Sequence, residues 1–265
     1  MIAGCRIIVT GASEGIGRAL ALALAGARAR IALAARDRDR LESLAQECRA
    51  LGADAIAVPT DIANAQDCDW LVQETVKAFG GLDVVVHNAG ITMWSRFDAL
   101  RDLEIFETLL RVNYLGPVHL TAQALPHLKQ SKGLIVAVAS LAGLTGVPER
   151  SGYAASKHAM IGFFDSLRIE LEDSGVDVTV IAPDFVVSEI HKRAIGPDGE
   201  PLGQSPMKEA KIMTAADCAL RIVRGIERRE RLVVMSARGR LGRWLKLIVP
   251  RAMDRMAAKA IRQRH

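Results

Sequence analysis

Seven short apolar runs, separated by six longer segments of helical spacing, constrain this chain more than any other feature it has. The runs are Cys5–Thr10, Arg30–Ala35, Ala55–Pro59, Asp83–His87, Gly133–Ala139, Asp177–Ala182 and Arg231–Met235. Between them lie Gly15–Ala25, Arg38–Leu51, Ala65–Phe79, Leu100–Leu128, Gly152–Asp173 and Ala215–Arg229, where apolar residues recur at three and four residue steps. Strands this apolar must be covered on both faces, and alternation with helices supplies the cover. The expected fold is therefore α/β, a doubly wound parallel sheet of seven strands. At 265 residues the chain suits one large domain. We take 1–235 as the nucleotide-binding and catalytic domain and 236–265 as a C-terminal helical extension.

In such a sheet, ligands bind beyond the carboxyl ends of the strands. Beyond the first run stands Thr10-Gly11-Ala12-Ser13-Glu14-Gly15-Ile16-Gly17, opening an Ala/Leu-rich helix. Glycines let backbone approach a pyrophosphate, and the helix N-terminus offers unpaired N–H groups with partial positive charge. Gly11, Ser13, Glu14, Gly15, Ile16 and Gly17 are accordingly expected at a dinucleotide. The spacing G-x-x-x-G-x-G differs from the common G-x-G-x-x-G fingerprint, so its context between strand and helix carries the assignment; an ordinary glycine turn is the alternative. Asp61-Ile62 after the third run and Asn88-Ala89-Gly90 after the fourth are expected at the adenine and along the cofactor.

The second run ends in Ala34-Ala35-Arg36-Asp37, where a carboxylate would bind the ribose 2′-hydroxyl of NAD. Ala35 stands at that place and Arg36 follows. A guanidinium binds a 2′-phosphate through paired charge-assisted hydrogen bonds, and a carboxylate repels one. NADP(H) is thus favoured over NAD(H). Two residues weigh against it: Asp37 as a ribose ligand, with Arg36 merely solvated, and Glu14, standing where a second basic residue would have helped.

At the other end of the chemistry, Tyr153 and Lys157 are four apart and share a helix face. Reduction of a ketone builds charge on oxygen that must be protonated. A phenol of ordinary pKa, about 10, is suited to that if a neighbouring ammonium stabilises its phenolate. Ser140 ends the fifth run and Asn113 lies inside the long fourth helical segment. Read without any relative, the first is a strand-end cap and the second a polar residue that bends a helix.

Taken together, Thr10–Gly17, Asn88-Ala89-Gly90, Asn113, Ser140, Tyr153 and Lys157 resemble, in order and spacing, the short-chain dehydrogenase/reductase family, over Cys5 to about Met235. The resemblance implies a Rossmann-like fold with Tyr153 as general acid/base and Ser140 bonded to the substrate oxygen. It also implies that Lys157 lowers the Tyr153 pKa and holds the nicotinamide ribose, and that Asn113 anchors a water in a proton relay. Pro183, Val186 and Ser188 would meet the cofactor carboxamide. A homodimer or homotetramer through Leu100–Leu128 and Gly152–Asp173 is implied as well. The chain departs from the family pattern at His87, where Asn is usual, and at Asp184, where Gly follows Pro.

Ser188–Met213 carries Pro197, Pro201 and Pro206 among glycines and reads as a substrate-covering loop, with a short helix near Met207–Ile212. Its Ile190, Ile195, Leu202, Met207, Ile212 and Met213, with Met93, Trp94 and Phe97, are candidates for an apolar substrate pocket, or else ordinary core. The extension from Ser236 holds nine Lys/Arg against one acidic residue, leaving 26 basic and 29 acidic side chains elsewhere. So the net charge of +5 belongs to the tail and does not call for nucleic acid. Leu241, Trp244, Leu245 and Ile248, then Met253, Met256, Ala257, Ala260 and Ile261, form an apolar stripe broken by Pro250 and opposed by basic residues. Packing on the protein itself or a partner subunit competes with peripheral contact to an anionic membrane. Contact with a membrane would favour a lipid-like substrate.

No secretory signal is visible, no apolar run reaches the roughly 18 residues of a spanning helix, and the four scattered cysteines suggest neither disulfides nor a metal. A cytoplasmic protein, associated with membrane if the tail binds lipid, is expected. The expected activity is an NADP(H)-dependent ketoreductase interconverting a ketone and a secondary alcohol. Its rivals are an NAD-linked alcohol dehydrogenase and a nucleotide-binding scaffold without turnover.

Overall fold

Every apolar run forms a strand: β1 (Arg6–Thr10), β2 (Arg30–Ala35), β3 (Asp54–Pro59), β4 (Val84–His87), β5 (Leu134–Val138), β6 (Asp177–Ala182) and β7 (Leu232–Val234). The computed structural model describes residues 2–206 and 212–262, the side chains of 260–262 excepted. The strands pair in the order β3-β2-β1-β4-β5-β6-β7, all parallel. The period of two in β1 decides which layer each side chain serves. Ile7 and Val9 pack with Leu20, Leu24, Cys218 and Ile222 on one face, and Ile8 packs with Leu71, Leu120, Ala124 and Phe164 on the other. The first layer holds α1 (Gly15–Gly26), α2 (Arg38–Ala50) and α7 (Ala215–Arg228); α3 (Ala65–Phe79), α5 (Gly116–Ser131) and α6 (Ser151–Glu170) cover the second. The order reverses between β1 and β4, which opens a crevice at their carboxyl ends.

Local chemistry sets the helix starts. Asp37 accepts the Arg40 N–H and caps α2, Asn64 caps α3 through Gln66, and Thr214 caps α7 through Asp217. The expected single helix over Leu100–Leu128 is instead interrupted. α4 (Glu104–Leu110) runs into a π-helical turn, Arg111–Leu115, before α5 begins. The cause is in the sequence: Pro117 has no N–H to return to the Asn113 carbonyl four residues back, so the α ladder opens there.

His87 is buried, with Nε2 2.9 Å from Thr121 Oγ1 and its ring 5.2 Å from that of Phe164. Burial pushes its imidazole from the ordinary 6.5 down to about 3. The folded state therefore holds it neutral while the unfolded chain takes up a proton below pH 6.5. Stability attributable to this residue falls as pH drops from 6.5 toward 3, by up to about 1.4 kcal/mol per pH unit. Exchanging His87 for Asn should flatten the fall in urea-unfolding free energy between pH 6.5 and 4.5 by that amount. Parallel curves for the two proteins would show that His87 is not held neutral.

The extension forms α8 (Ala237–Ile248) and α9 (Pro250–Arg262), with Ser236 capping the first through the Gly239 N–H and Pro250 opening the second. Leu241, Trp244 and Ile248 are 60%, 58% and 74% exposed, while Leu245, Met253 and Ala257 of the same stripe are half-buried. Among the described residues, no helix is long and apolar enough to cross a membrane. The short helix expected near Met207–Ile212 falls on residues 207–211, outside the described residues, as do Met207 itself and the side chains of Ala260 and Ile261.

Candidate active site

The crevice at the β1/β4 reversal is a cavity of about 740 Å³. One end is built by the glycine turn. Gly11 has φ +64, and a Cβ there would lie 2.8 Å from the Ala89 Cα, so the turn needs glycine both for its backbone and for the close approach of the chain after β4. Thr10 holds that approach together: its Oγ1 donates to the Val86 carbonyl and accepts the Asn88 and Ala89 N–H groups, both at 3.0 Å. The Asn88 amide donates to the Thr10 and Gly11 carbonyls. Gly11, Ser13, Glu14, Gly15, Ile16, Asn88, Ala89 and Gly90 all line the cavity. Gly17 does not; a Cβ there would lie 2.1 Å from the Gly11 carbonyl oxygen, so it serves the turn from beneath.

Beyond β2 and β3 the cavity wall includes Ala35, Arg36, Asp37, Arg40, Asp61 and Ile62. The carboxylate of Asp37 is occupied by the α2 N-cap and an ion pair with Arg40 at 3.2 Å. Glu14 is likewise paired, with Arg40 at 3.1 Å and with Arg193 at 2.6 Å. Sequence reasoning missed Arg40, although its position three after a capping Asp placed it on the first turn of α2, toward the cavity.

At the opposite end Ser140, Tyr153 and Lys157 share the wall with Pro183, Val186 and Ser188. Ser140, two residues beyond β5, is extended and its Oγ accepts the Ala142 N–H, so it is a cap as well as a cavity residue. Tyr153 and Lys157, on the first turns of α6, are both buried, with Lys157 Nζ 5.9 Å from the Tyr153 ring centre. Lys157 Nζ donates to the Val138 carbonyl at 3.0 Å. Burial pushes its ammonium below the ordinary 10.5; Tyr153 pulls it back up and Arg150 adds to the push. Asn113 stands behind the wall. Its Oδ1 accepts the Ile91 N–H, and its Nδ2 donates to the Ile91 carbonyl and to Ser156 Oγ, each at 2.9 Å. A Cβ on Gly90 would lie 3.1 Å from Asn113 Oδ1 and 3.5 Å from Lys157 Nζ, so these three elements converge closely around it.

The apolar lining differs from the expected one. Met93 is wholly buried core, Phe97 is 64% exposed, and Ile195 is tied into bridges with Met93 and Pro201. Of the described members of that set Ile190 reaches the cavity; Leu141, Ala142, Leu144, Val147 and Phe185 are among the other apolar residues of its wall. Apolar identity alone did not separate core from cavity. The extension takes part as well, through Arg238, Gly239, Gly242, Arg243 and Met253. Asp184, the departure from Pro-Gly, explains how: its carboxylate accepts from Ser236 Oγ at 2.8 Å and from Arg238 at 2.9 Å, fixing the start of α8 at the cavity mouth.

The glycine cradle, a mouth with paired acids near Arg36, and a cavity within the usual size of a cofactor site together fit a nicotinamide dinucleotide. Residues 6–196 match the family described as short chain dehydrogenase. The 11-beta-hydroxysteroid dehydrogenase-like 4A of Arabidopsis thaliana is 40% identical over 245 residues, covering 92% of this chain and 80% of its own. An 11-beta-hydroxysteroid dehydrogenase A of Sesamum indicum is 34% identical over 259 residues, covering 96% and 74%. The crystal structure of a short chain dehydrogenase/reductase SDR from Burkholderia phymatum in complex with NAD superimposes with a TM-score of 0.82 at 24% identity, over 92% of this chain and 93% of that one. That structural likeness bears on the fold.

Proposed function

The chain belongs to the short-chain dehydrogenase/reductase family of oxidoreductases, and from that premise we propose that it is an NADP(H)-dependent ketoreductase acting on an apolar, lipid-like carbonyl compound. The observation that carries the reading is the joint presence of Ser140, Tyr153 and Lys157 on one cavity wall opposite the glycine cradle. The bound nicotinamide would supply the reducing equivalent. The protein's own residues would do the rest. Ser140 Oγ donates to the substrate oxygen and fixes its place. Tyr153, whose hydroxyl has no hydrogen-bond partner among the described residues, passes its proton to that oxygen, and the reverse transfer serves alcohol oxidation. Lys157, held by the Val138 carbonyl, keeps its ammonium beside the Tyr153 ring and holds the nicotinamide ribose. The Asn113 carbonyl, deprived of its α-helical donor by Pro117, is the acceptor for a relay water that returns the proton.

For NADP(H) the support is Ala35 in place of a carboxylate, Arg36 beside it, and the neutralisation of Glu14 and Asp37 by Arg40 and Arg193. The NAD in the Burkholderia structure is the observation for a second reading, an NAD-linked dehydrogenase. The relatives' names, with the Leu141, Leu144 and Phe185 wall, support a large apolar substrate. NADPH consumption measured over ketones of graded chain length should rise with apolar size; no consumption with any ketone would overturn the reading.

Peripheral membrane contact through α8 and α9 follows from a basic tail whose Leu241, Trp244, Leu247 and Ile248 are exposed next to the cavity mouth. A cytoplasmic protein attached in this way would take its substrate from the bilayer. Full-length protein should float with phosphatidylserine-rich vesicles at low salt, and a form lacking residues 241–265 should not. Equal flotation and equal activity of the two would remove the basis for membrane contact. A homodimer or homotetramer would use exposed Leu103 just before α4, Leu110 at its end, Leu115 at the end of the π-turn and Ile169 of α6.

A further inference from the structure

Arg150, three residues before Tyr153, is 5% exposed, lines the cavity and has no ion pair among the described residues. Its guanidinium carbon lies 4.3 Å from the Tyr153 ring centre, 5.3 Å from that of Trp94 and 5.8 Å from that of Phe185. These aromatic faces stabilise a cation from above and beside it. They do nothing for the five N–H donors in the guanidinium plane. Among the described residues one hydrogen bond is made, from Nη2 to Thr92 Oγ1 at 2.6 Å, and Nε is buried without a partner. Of the other cavity arginines, Arg40 and Arg193 sit against Glu14 and Arg238 against Asp184, while Arg36 and Arg243, which have no ion pair among the described residues, are not buried. Burial also pushes the Arg150 guanidinium below its ordinary pKa, and Tyr153 pulls it part of the way back.

A planar cation held rigidly by three rings, with in-plane donors left over and a cavity in front of it, is a receptor for a planar anion. We infer that Arg150 binds a carboxylate of the substrate, so that the natural substrate is an apolar carbonyl compound that also carries a carboxylate, bound with its carbonyl at Ser140 and Tyr153. The inference rests on the ketoreductase reading for the carbonyl; the carboxylate site stands on Arg150 itself. Stacked on Tyr153, the guanidinium holds the anion close to the reacting oxygen, which fixes how the substrate lies. A lipid-like chain would then extend toward Leu141, Leu144 and the mouth under α8.

The test compares keto acids of increasing methylene spacing with their methyl esters. At the best spacing the acid should exceed its ester in kcat/KM by about 10- to 100-fold, the range for a hydrogen bond to a charged group. Arg150→Met should collapse that ratio to near one, and Arg150→Lys, which keeps the charge but not the fork, should retain part of it. Thermal unfolding of each variant establishes that it is folded. Independently of turnover, calorimetric titration of the NADPH-loaded protein with straight-chain fatty acids and their methyl esters should show the same preference and its loss in Arg150→Met. If acid and ester are handled alike by the native protein, or if Arg150→Met keeps the acid preference while folded, the carboxylate site is wrong. If the binding preference holds and no ketone is reduced, the ketoreductase reading fails and the site stands.

Discussion

Tyr153→Phe is expected to lower kcat for ketone reduction by about 10²- to 10⁴-fold, the usual contribution of a positioned acid or base. The change removes one oxygen atom from a side chain packed among Met93, Leu109 and Ala154, so the volume is nearly conserved. A hydroxyl with a purely structural role contributes only about 0.5–1.5 kcal/mol net, which is roughly tenfold at most. The size of the effect therefore separates proton transfer from packing. Cofactor affinity should change far less, because the glycine cradle, Asn88 and Arg36 are untouched. A Phe variant that keeps a tenth or more of native kcat would remove Tyr153 from the chemistry, whatever the integrity of its neighbours.

Arg36→Asp should raise the ratio of NADPH to NADH dissociation constants by about 10²- to 10³-fold, equivalent to roughly 3–4 kcal/mol, the scale for losing one side of a charged, hydrogen-bonded pair. Two effects add in one direction: the guanidinium's paired hydrogen bonds to a 2′-phosphate are lost, and the new carboxylate repels that phosphate while it accepts the ribose hydroxyls of NADH. Arg40 lies close by, but its charge already answers Asp37 and Glu14, so it is not expected to rescue the binding. Dissociation constants from protein fluorescence titration measure the ratio without reference to any substrate. An unchanged NADPH affinity in the variant would mean that Arg36 is only a solvated charge.

The strands and most helices were legible in the chain because both depend on local period. β2, β6 and α3 fall on the expected residues, and the others shift by one to three at either end, the interrupted segment over Leu100–Leu128 apart. The same holds for side chains whose place follows from a neighbouring element: the glycine turn after β1, Ser140 after β5, Tyr153 and Lys157 on one turn of α6. What could not be read locally were meetings of distant segments. The burial of Arg150 depends on Trp94 after β4 and Phe185 after β6, which come together only once the sheet exists. Asp184 looked like a misfit for glycine because its partners, Ser236 and Arg238, are some fifty residues away in sequence. Met93 and Phe97 have the same apolar character, and only the packing of α4 and α6 decides that one is buried and the other is not. The break at Asn113 was half visible, since a proline four residues on is a local signal, yet its form as a π-turn was not.

That π-turn also acts as a change of phase along a helix axis. Each α-helical residue advances by about 100°, so Leu109 and Leu120, eleven residues apart, would face the same way on an unbroken α-helix. They do not serve the same neighbours: Leu109 packs with Tyr153 and Ala154, Leu120 with the sheet and Phe164. The wider turn between them slips the azimuth, so that one continuous rod meets the start of α6 with its first half and reaches the sheet, as well as Phe164 further along α6, with its second. Removing a single residue from 111–115 would bring the two halves back into step, and one of them would then present the wrong side.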